Sequence, residues 1–149
     1  MSAVDQIIDQ GVMWNVSAES WQELTLGVGQ RLIELGLCDE RYPDAMVQNV
    51  VKNGPYLVIA PGLALLHARP DEGATKNGLV MGTSANSIEF GHSTNDPVTL
   101  FIGLTATGDM EHLDMLQEVA QMLAAPGALD GLRSATSESD FVAKLRALA

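Results

Sequence analysis

This chain predicts an α/β fold, and three observations point to it. Helical and extended periods of apolar residues alternate along the sequence. The segment Val98-Thr99-Leu100-Phe101-Ile102-Gly103-Leu104 is apolar enough for a strand at the centre of a sheet. The last third reads as helix, with Leu113, Leu116, Val119, Ala120 and Leu123 on one stripe. At 149 residues the chain fits one domain, 1–149, and can close a core.

Taken in order, the elements begin with a helix after Ser17 or Ser20, either of which can cap. Trp21, Leu24, Val28, Leu32 and Leu35 recur at helical spacing, and Gly36 stops the run. A second helix is expected from about Glu40 to Lys52, ended by Asn53-Gly54-Pro55. Tyr56-Leu57-Val58-Ile59 reads as a short buried strand and Leu63-Ala64-Leu65-Leu66-His67 as a second extended piece, with Pro61-Gly62 between them. Residues 69–73 are expected as a loop, 78–82 as a third strand and 88–90 as a separate short alternating segment. Asp109 is expected to cap the helix of the last third. A turn around Leu129 and Leu132 and a final helix from Ser137 or Ser139 complete the chain.

Charge and composition narrow the function classes. Lys and Arg number 8 against 19 Asp and Glu, a formal charge of −11. A field of that sign repels nucleic acid and anionic lipid and suits a partner with a basic face. Charged residues make up 18% and hydrophobic residues 46%, so disorder is not expected, and with only 5% aromatics the core must be aliphatic. The single cysteine, Cys38, cannot form an internal disulfide and belongs to no metal-binding spacing. No run reaches the ~18–20 apolar residues that span a bilayer. Met1 to Asp5 lack the basic and apolar regions of a secretory signal, so a cytoplasmic location without membrane insertion is expected.

The chain has three histidines, and they carry the candidate chemistry. No HExxH, GxSxG, P-loop or GxGxxG motif supports a metal, hydrolase, NTPase or dinucleotide site. His67 ends an apolar strand and opens into Ala68-Arg69-Pro70, which gives it a buried stem and an exposed edge. One ring nitrogen bonded to a carbonyl would leave the other as a neutral nucleophile. Arg69, two residues on, could supply charge to a phosphoryl group. His112 stands at the start of the last long helix, where unpaired N–H groups welcome an anion. His92 sits in a Gly/Ser/Asn/Asp/Pro turn and reads as a turn residue or as a rim residue of the site. Asp96 fixes that turn. Tyr42, Trp14 and Trp21 read as packing residues, and the seven methionines as core filler.

Three ordered blocks resemble one family. They are Tyr42-Pro43-Asp44-Ala45-Met46 with Gly54 through Pro70, then Phe90-Gly91-His92 with Asn95-Asp96-Pro97-Val98, then Glu111-His112-Leu113. Together they resemble enzyme IIA of the mannitol/fructose superfamily of the sugar phosphotransferase system, over about residues 14–148. The wording around His67 and His92 is most similar to the L-ascorbate type. The resemblance implies a mixed sheet of about five strands flanked by helices. It implies that His67 accepts a phosphoryl group from phospho-HPr and passes it to a cysteine of a IIB protein, with membrane IIC reached only indirectly and no cofactor. His112 matches the second active-site histidine, with Arg69 and His92 as candidate phosphate-binding residues.

The chain departs from the mannitol-type pattern at two places. Asn49 stands where mannitol-type members carry an arginine, and Leu66 stands where the family usually has proline. Arg69 is the candidate replacement for the missing cation. Two other readings stay open at this point: a regulatory protein that signals through the phosphorylation of His67, and a folded relative that no longer transfers phosphate.

Overall fold

The computed structural model describes residues 2–149. Ser2 caps the first helix, α1 (Ala3–Gln10), through a reciprocal pair of bonds with Asp5. β1 (Val12–Val16) follows. Neither element is anticipated by the periodicity. α1 has two turns, and Asn15 interrupts β1 with a φ of 56°. Ser20 accepts the Glu23 N–H and starts α2 (Trp21–Glu34), and Gly36 turns the chain away with a φ of 74°. α3 (Tyr42–Asn53) carries Pro43 in its first turn, where no N–H is needed.

β2 (Val58–Ala60) and β3 (Leu63–Leu66) form a hairpin around Pro61-Gly62. A 3-10 turn occupies Pro70–Glu72, where a loop was expected. β4 (Gly78–Ile88) is a single strand that joins the two segments read as separate, because its register slips between Thr83 and Ile88. β5 (Val98–Thr105) comes next. α4 (Asp109–Leu123) is capped by Gly108. Asp109 is its first helical residue rather than its cap, so its carboxylate meets the positive end of the helix as a charge. The short α5 (Ala128–Arg133) replaces the expected turn, and Ser137 caps α6 (Glu138–Arg146).

The sheet order is β1-β4-β5-β3-β2, with β5 at its centre as its apolar composition predicts. β1 runs parallel to β4 and β3 parallel to β5, while the β4–β5 and β2–β3 pairs are antiparallel. Side chains alternate between two cores. Ala64, Leu66, Val80 and Phe101 pack beneath α2 and α3. Leu63, Leu65, Met81, Leu100, Ile102 and Leu104 pack beneath α1, α4, α5 and α6. Gly103 lets α2 approach the sheet: a Cβ there would lie 2.5 Å from Val28 Cγ1.

This topology decides where chemistry can occur. Parallel β3 and β5 bring their C-terminal ends to the same edge, with Leu66 paired to Gly103. The residues after them, His67 to Arg69 and Ala106 to Asp109, therefore emerge side by side.

Candidate functional site

His67 takes its direction from strand parity. It follows Leu63 and Leu65, which face α4, so its ring projects toward the first turns of that helix. There it meets His112, with ring centroids 5.1 Å apart and planes tilted by 41°. Tyr56, from the segment before β2, stands edge-on to the His67 ring at 6.3 Å. The two histidines that the sequence singles out, 45 positions apart, are thus neighbours.

The tautomer of His67 follows from its hydrogen bond. Nδ1 lies 2.9 Å from the Leu65 carbonyl, which can only accept, so Nδ1 carries the proton and Nε2 holds a free lone pair. Burial pushes the imidazole below its ordinary pKa. The Leu65 carbonyl opposes that shift, and nearby His112 adds to it. At neutral pH the ring is a half-buried, uncharged base with one nitrogen available.

His112 rises from the same side of the site. Its backbone N–H closes the first turn of α4 on the Gly108 carbonyl. Its Nδ1 is buried and makes no hydrogen bond. Gly108 offers no side-chain cap, so the N–H groups at the start of α4 face outward for an acceptor. Asp109 and Glu111 in the same turn add negative charge, which offsets part of the dipole's attraction for an anion.

Arg69 stands at the rim. Its guanidinium is 75% exposed and lies 3.7 Å from the Asp71 carboxylate. It shares an open recess of about 300 Å³ with Thr107, Gly108 and Asp109. Asn49 does not face that recess. Its Nδ2 donates to Glu72 Oε1 at 2.9 Å, and the same oxygen accepts the Arg69 N–H at 2.9 Å. Tyr42, read from sequence as packing, is fully buried and does more than pack. Its hydroxyl donates to the Leu104 carbonyl at 2.7 Å, with the Ala68 carbonyl at 3.2 Å, and accepts the Ala68 N–H at 3.0 Å. The available signal for Tyr42 was chemical: a buried tyrosine needs a partner for its hydroxyl.

The structure does not bring His92 to this site. It lies in the β4–β5 turn, at the edge where β5 begins, whereas His67 lies level with the end of β5. His92 Nδ1 accepts the N–H groups of Asn95 at 3.0 Å and Thr94 at 3.2 Å. Asp96 Oδ2 gathers the N–H groups of Phe90, Gly91 and His92, which is the turn-fixing role read from the sequence.

Exposed apolar side chains accompany both histidines: Tyr56 stands against the His67 ring, and Met110 and Leu113 flank His112 along α4. Tyr56 is 48% and Leu113 51% exposed, and Met110 and Ile59 are also exposed. A groove of about 390 Å³ continues along α4 between Ile59, Leu65, Leu116 and Leu123. Among the described residues no helix is long and apolar enough to cross a membrane, and no three His, Cys, Asp or Glu residues cluster as metal ligands. Burial pushes the Cys38 thiol up to about 11, with Asp39 adding to the shift, so this sulfur is not a nucleophile at neutral pH.

Known proteins share both the sequence pattern and the fold. Residues 7–147 match the family model described as phosphoenolpyruvate-dependent sugar phosphotransferase system, EIIA 2. The ascorbate-specific PTS system EIIA component of Escherichia coli K12 is 33% identical over 136 residues, covering 90% of this chain and 88% of that protein. The solution structure of the mannitol-specific cryptic phosphotransferase enzyme IIA CmtB of E. coli superposes with a TM-score of 0.85 at 29% identity, covering 97% and 98% of the two chains. A similar fold, with a TM-score of 0.80 at 19% identity over 93% of this chain and 96% of that one, occurs in the E. coli complex of enzyme IIA of the mannitol system with phosphorylated enzyme IIB.

Proposed function

This chain belongs to the phosphoenolpyruvate-dependent sugar phosphotransferase system EIIA 2 family, and we propose that it accepts a phosphoryl group from phospho-HPr on Nε2 of His67 and passes it to a cysteine of a IIB protein. A phosphocarrier role follows from the family. The observation that carries the residue assignment is the His67 ring, whose Nδ1 is held by the Leu65 carbonyl while its ring faces His112.

In the first step the Nε2 lone pair attacks phosphorus, and the donor's bond to phosphorus breaks with its electron pair returning to the donor. Nδ1 keeps its proton on the Leu65 carbonyl, so the new phosphoimidazole forms without a proton having to leave the ring. In the second step a IIB thiolate attacks the same phosphorus, and Nε2 departs with the electron pair. Little covalent chemistry is asked of the protein; it positions the acceptor and stabilises charge on the phosphoryl oxygens. His112 and the first-turn N–H groups of α4 are the donors closest to that task, and Arg69 is the cation that can swing in from the rim.

Exposed Tyr56 beside the His67 ring, with exposed Met110 and Leu113 on either side of His112 in α4, supports docking of successive partners over the histidines, and Asp109, Glu111 and Asp114 give the same stretch of α4 negative charge. Such a surface suits brief contacts with partners that carry basic faces. By similarity to the ascorbate-specific relative, the system served is uptake of L-ascorbate or a related sugar acid. The proposed location is the cytoplasm.

The test is phosphorylation by phosphoenolpyruvate, enzyme I and HPr, read by intact mass under mildly basic conditions. Wild type should gain one acid-labile phosphate and His67→Gln none. Wild type that gains none beside a working control, or a variant that still gains it, would overturn the assignment.

A further inference from the structure

We propose that helix α3 sets the position of His67 from the opposite face of the sheet, with Tyr42 and Asn49 as positioning residues and Glu72 as the link between Asn49 and the loop. This rests on the phosphocarrier reading of His67. Tyr42 and Asn49 are seven residues apart, two turns of one helix, and so share a face. Strand parity points His67 toward α4 and Ala68 toward α3.

The backbone directly after His67 is therefore gripped twice. One buried hydroxyl accepts the Ala68 N–H and donates its single proton to the Leu104 carbonyl at the end of β5, with the Ala68 carbonyl 3.2 Å away. One carboxylate oxygen holds the Arg69 N–H and is itself held by Asn49. On the near side the ring is tied to Leu65. His67 thus sits between a side-chain anchor before it and two main-chain anchors after it. The polar contacts of α3 reach the reacting nitrogen only through the main chain, while the ring itself meets Tyr56 edge-on and His112 at a tilt.

Glu72 discriminates this arrangement from a charge effect. Its bonded oxygen accepts two N–H groups, and a glutamine amide oxygen can accept the same two. The experiment measures phosphorylation rates at varied phospho-HPr, together with an NMR titration of the His67 imidazole. Glu72→Ala should slow phosphorylation about tenfold at saturating donor, because small misplacements of reacting atoms cost on the order of 10²-fold. KM for phospho-HPr should stay within about twofold, since the docking face is untouched. Glu72→Gln should restore the rate to within about twofold of wild type. Asn49→Ala and Tyr42→Phe should slow the reaction as Glu72→Ala does. Phe141→Leu, a cavity in the other core, should lower thermal stability without changing the rate.

Equal losses in Glu72→Ala and Glu72→Gln, or a loss in Phe141→Leu matching that of Tyr42→Phe, would overturn the proposal. Wild type that accepts no phosphoryl group would instead sink the phosphocarrier reading, and the titration would then decide the positioning. In Glu72→Ala the His67 pKa should move back toward the ordinary histidine value as the ring loosens and wets, and Glu72→Gln should prevent the move. A His67 pKa unchanged in Glu72→Ala would count against the role of α3.

Discussion

A histidine stands level with each end of β5, His67 after β3 and His92 in the turn before β5, and the two rings are wired in opposite senses. At the end of β5, the Nδ1 of His67 donates to a carbonyl and its Nε2 keeps a lone pair. At the start of β5, the Nδ1 of His92 accepts two backbone N–H groups, so its proton resides on Nε2. The first ring, the proposed acceptor, has a second histidine beside it. The second is a cap for its own turn, backed by Asp96. The residue type is the same at both ends; the groups that occupy Nδ1 leave a free Nε2 lone pair on His67 and an Nε2 proton on His92, which is the contrast the proposed transfer relies on.

The largest expected difference is all or nothing. His67→Gln should abolish phosphate uptake, while His92→Gln should take up one phosphate at close to the wild-type rate, both read by intact mass. A comparable loss in His92→Gln would erase the contrast between the two ends. His112→Ala should keep the acceptor but lose a donor to the phosphoryl oxygens, lowering the transfer rate by about 10²-fold in rapid-quench kinetics. A change smaller than about threefold would remove His112 from the site.

Asp96→Ala tests the other end by stability. Three N–H groups would lose their acceptor, which should cost about 1–3 kcal/mol in urea unfolding while His67 still takes its phosphate. Loss of phosphorylation in a variant that remains folded would show the two ends to be coupled. Arg69→Ala should slow transfer by about tenfold, the scale of one charge-assisted hydrogen bond at an exposed position. Unchanged kinetics would end its role as the replacement cation.

The smallest effect concerns protons. Because burial lowers the pKa of His67, its neutral form should persist below the ordinary value of about 6.5 in an NMR titration. The unfolded chain then binds a proton first, so folding stability should fall as pH drops from about 6.5 toward the folded pKa, and His67→Gln should remove that loss. A titration at or above 6.5 would contradict the buried-base description.

Much of this arrangement was legible in the chain, and the parts that were not have physical reasons. The central place of β5 and the stripe of α4 were readable because both are long and periodic. α1 and β1 escaped because eight residues and five residues carry little periodic signal, and Asn15 breaks the extended run. β4 looked like two segments because residues 84–87 bulge into solvent as a polar stretch. His67 and His112 were recognisable as chemistry-bearing types, but their contact depends on parallel strands ending at one edge. The polar partners of Tyr42 and Asn49 lie 23 to 62 positions away, beyond the reach of any local pattern.

The solitary thiol of Cys38 has a practical corollary. It is buried in the α2–α3 core and protonated well above neutral pH. Maleimides and other sulfur-seeking reagents should therefore pass the native molecule by. A cysteine introduced at a surface position such as Val51, 63% exposed on α3, would then be the sole reactive handle. A fluorophore placed there could report partner arrival and departure in real time, with no need to remove the natural sulfur first.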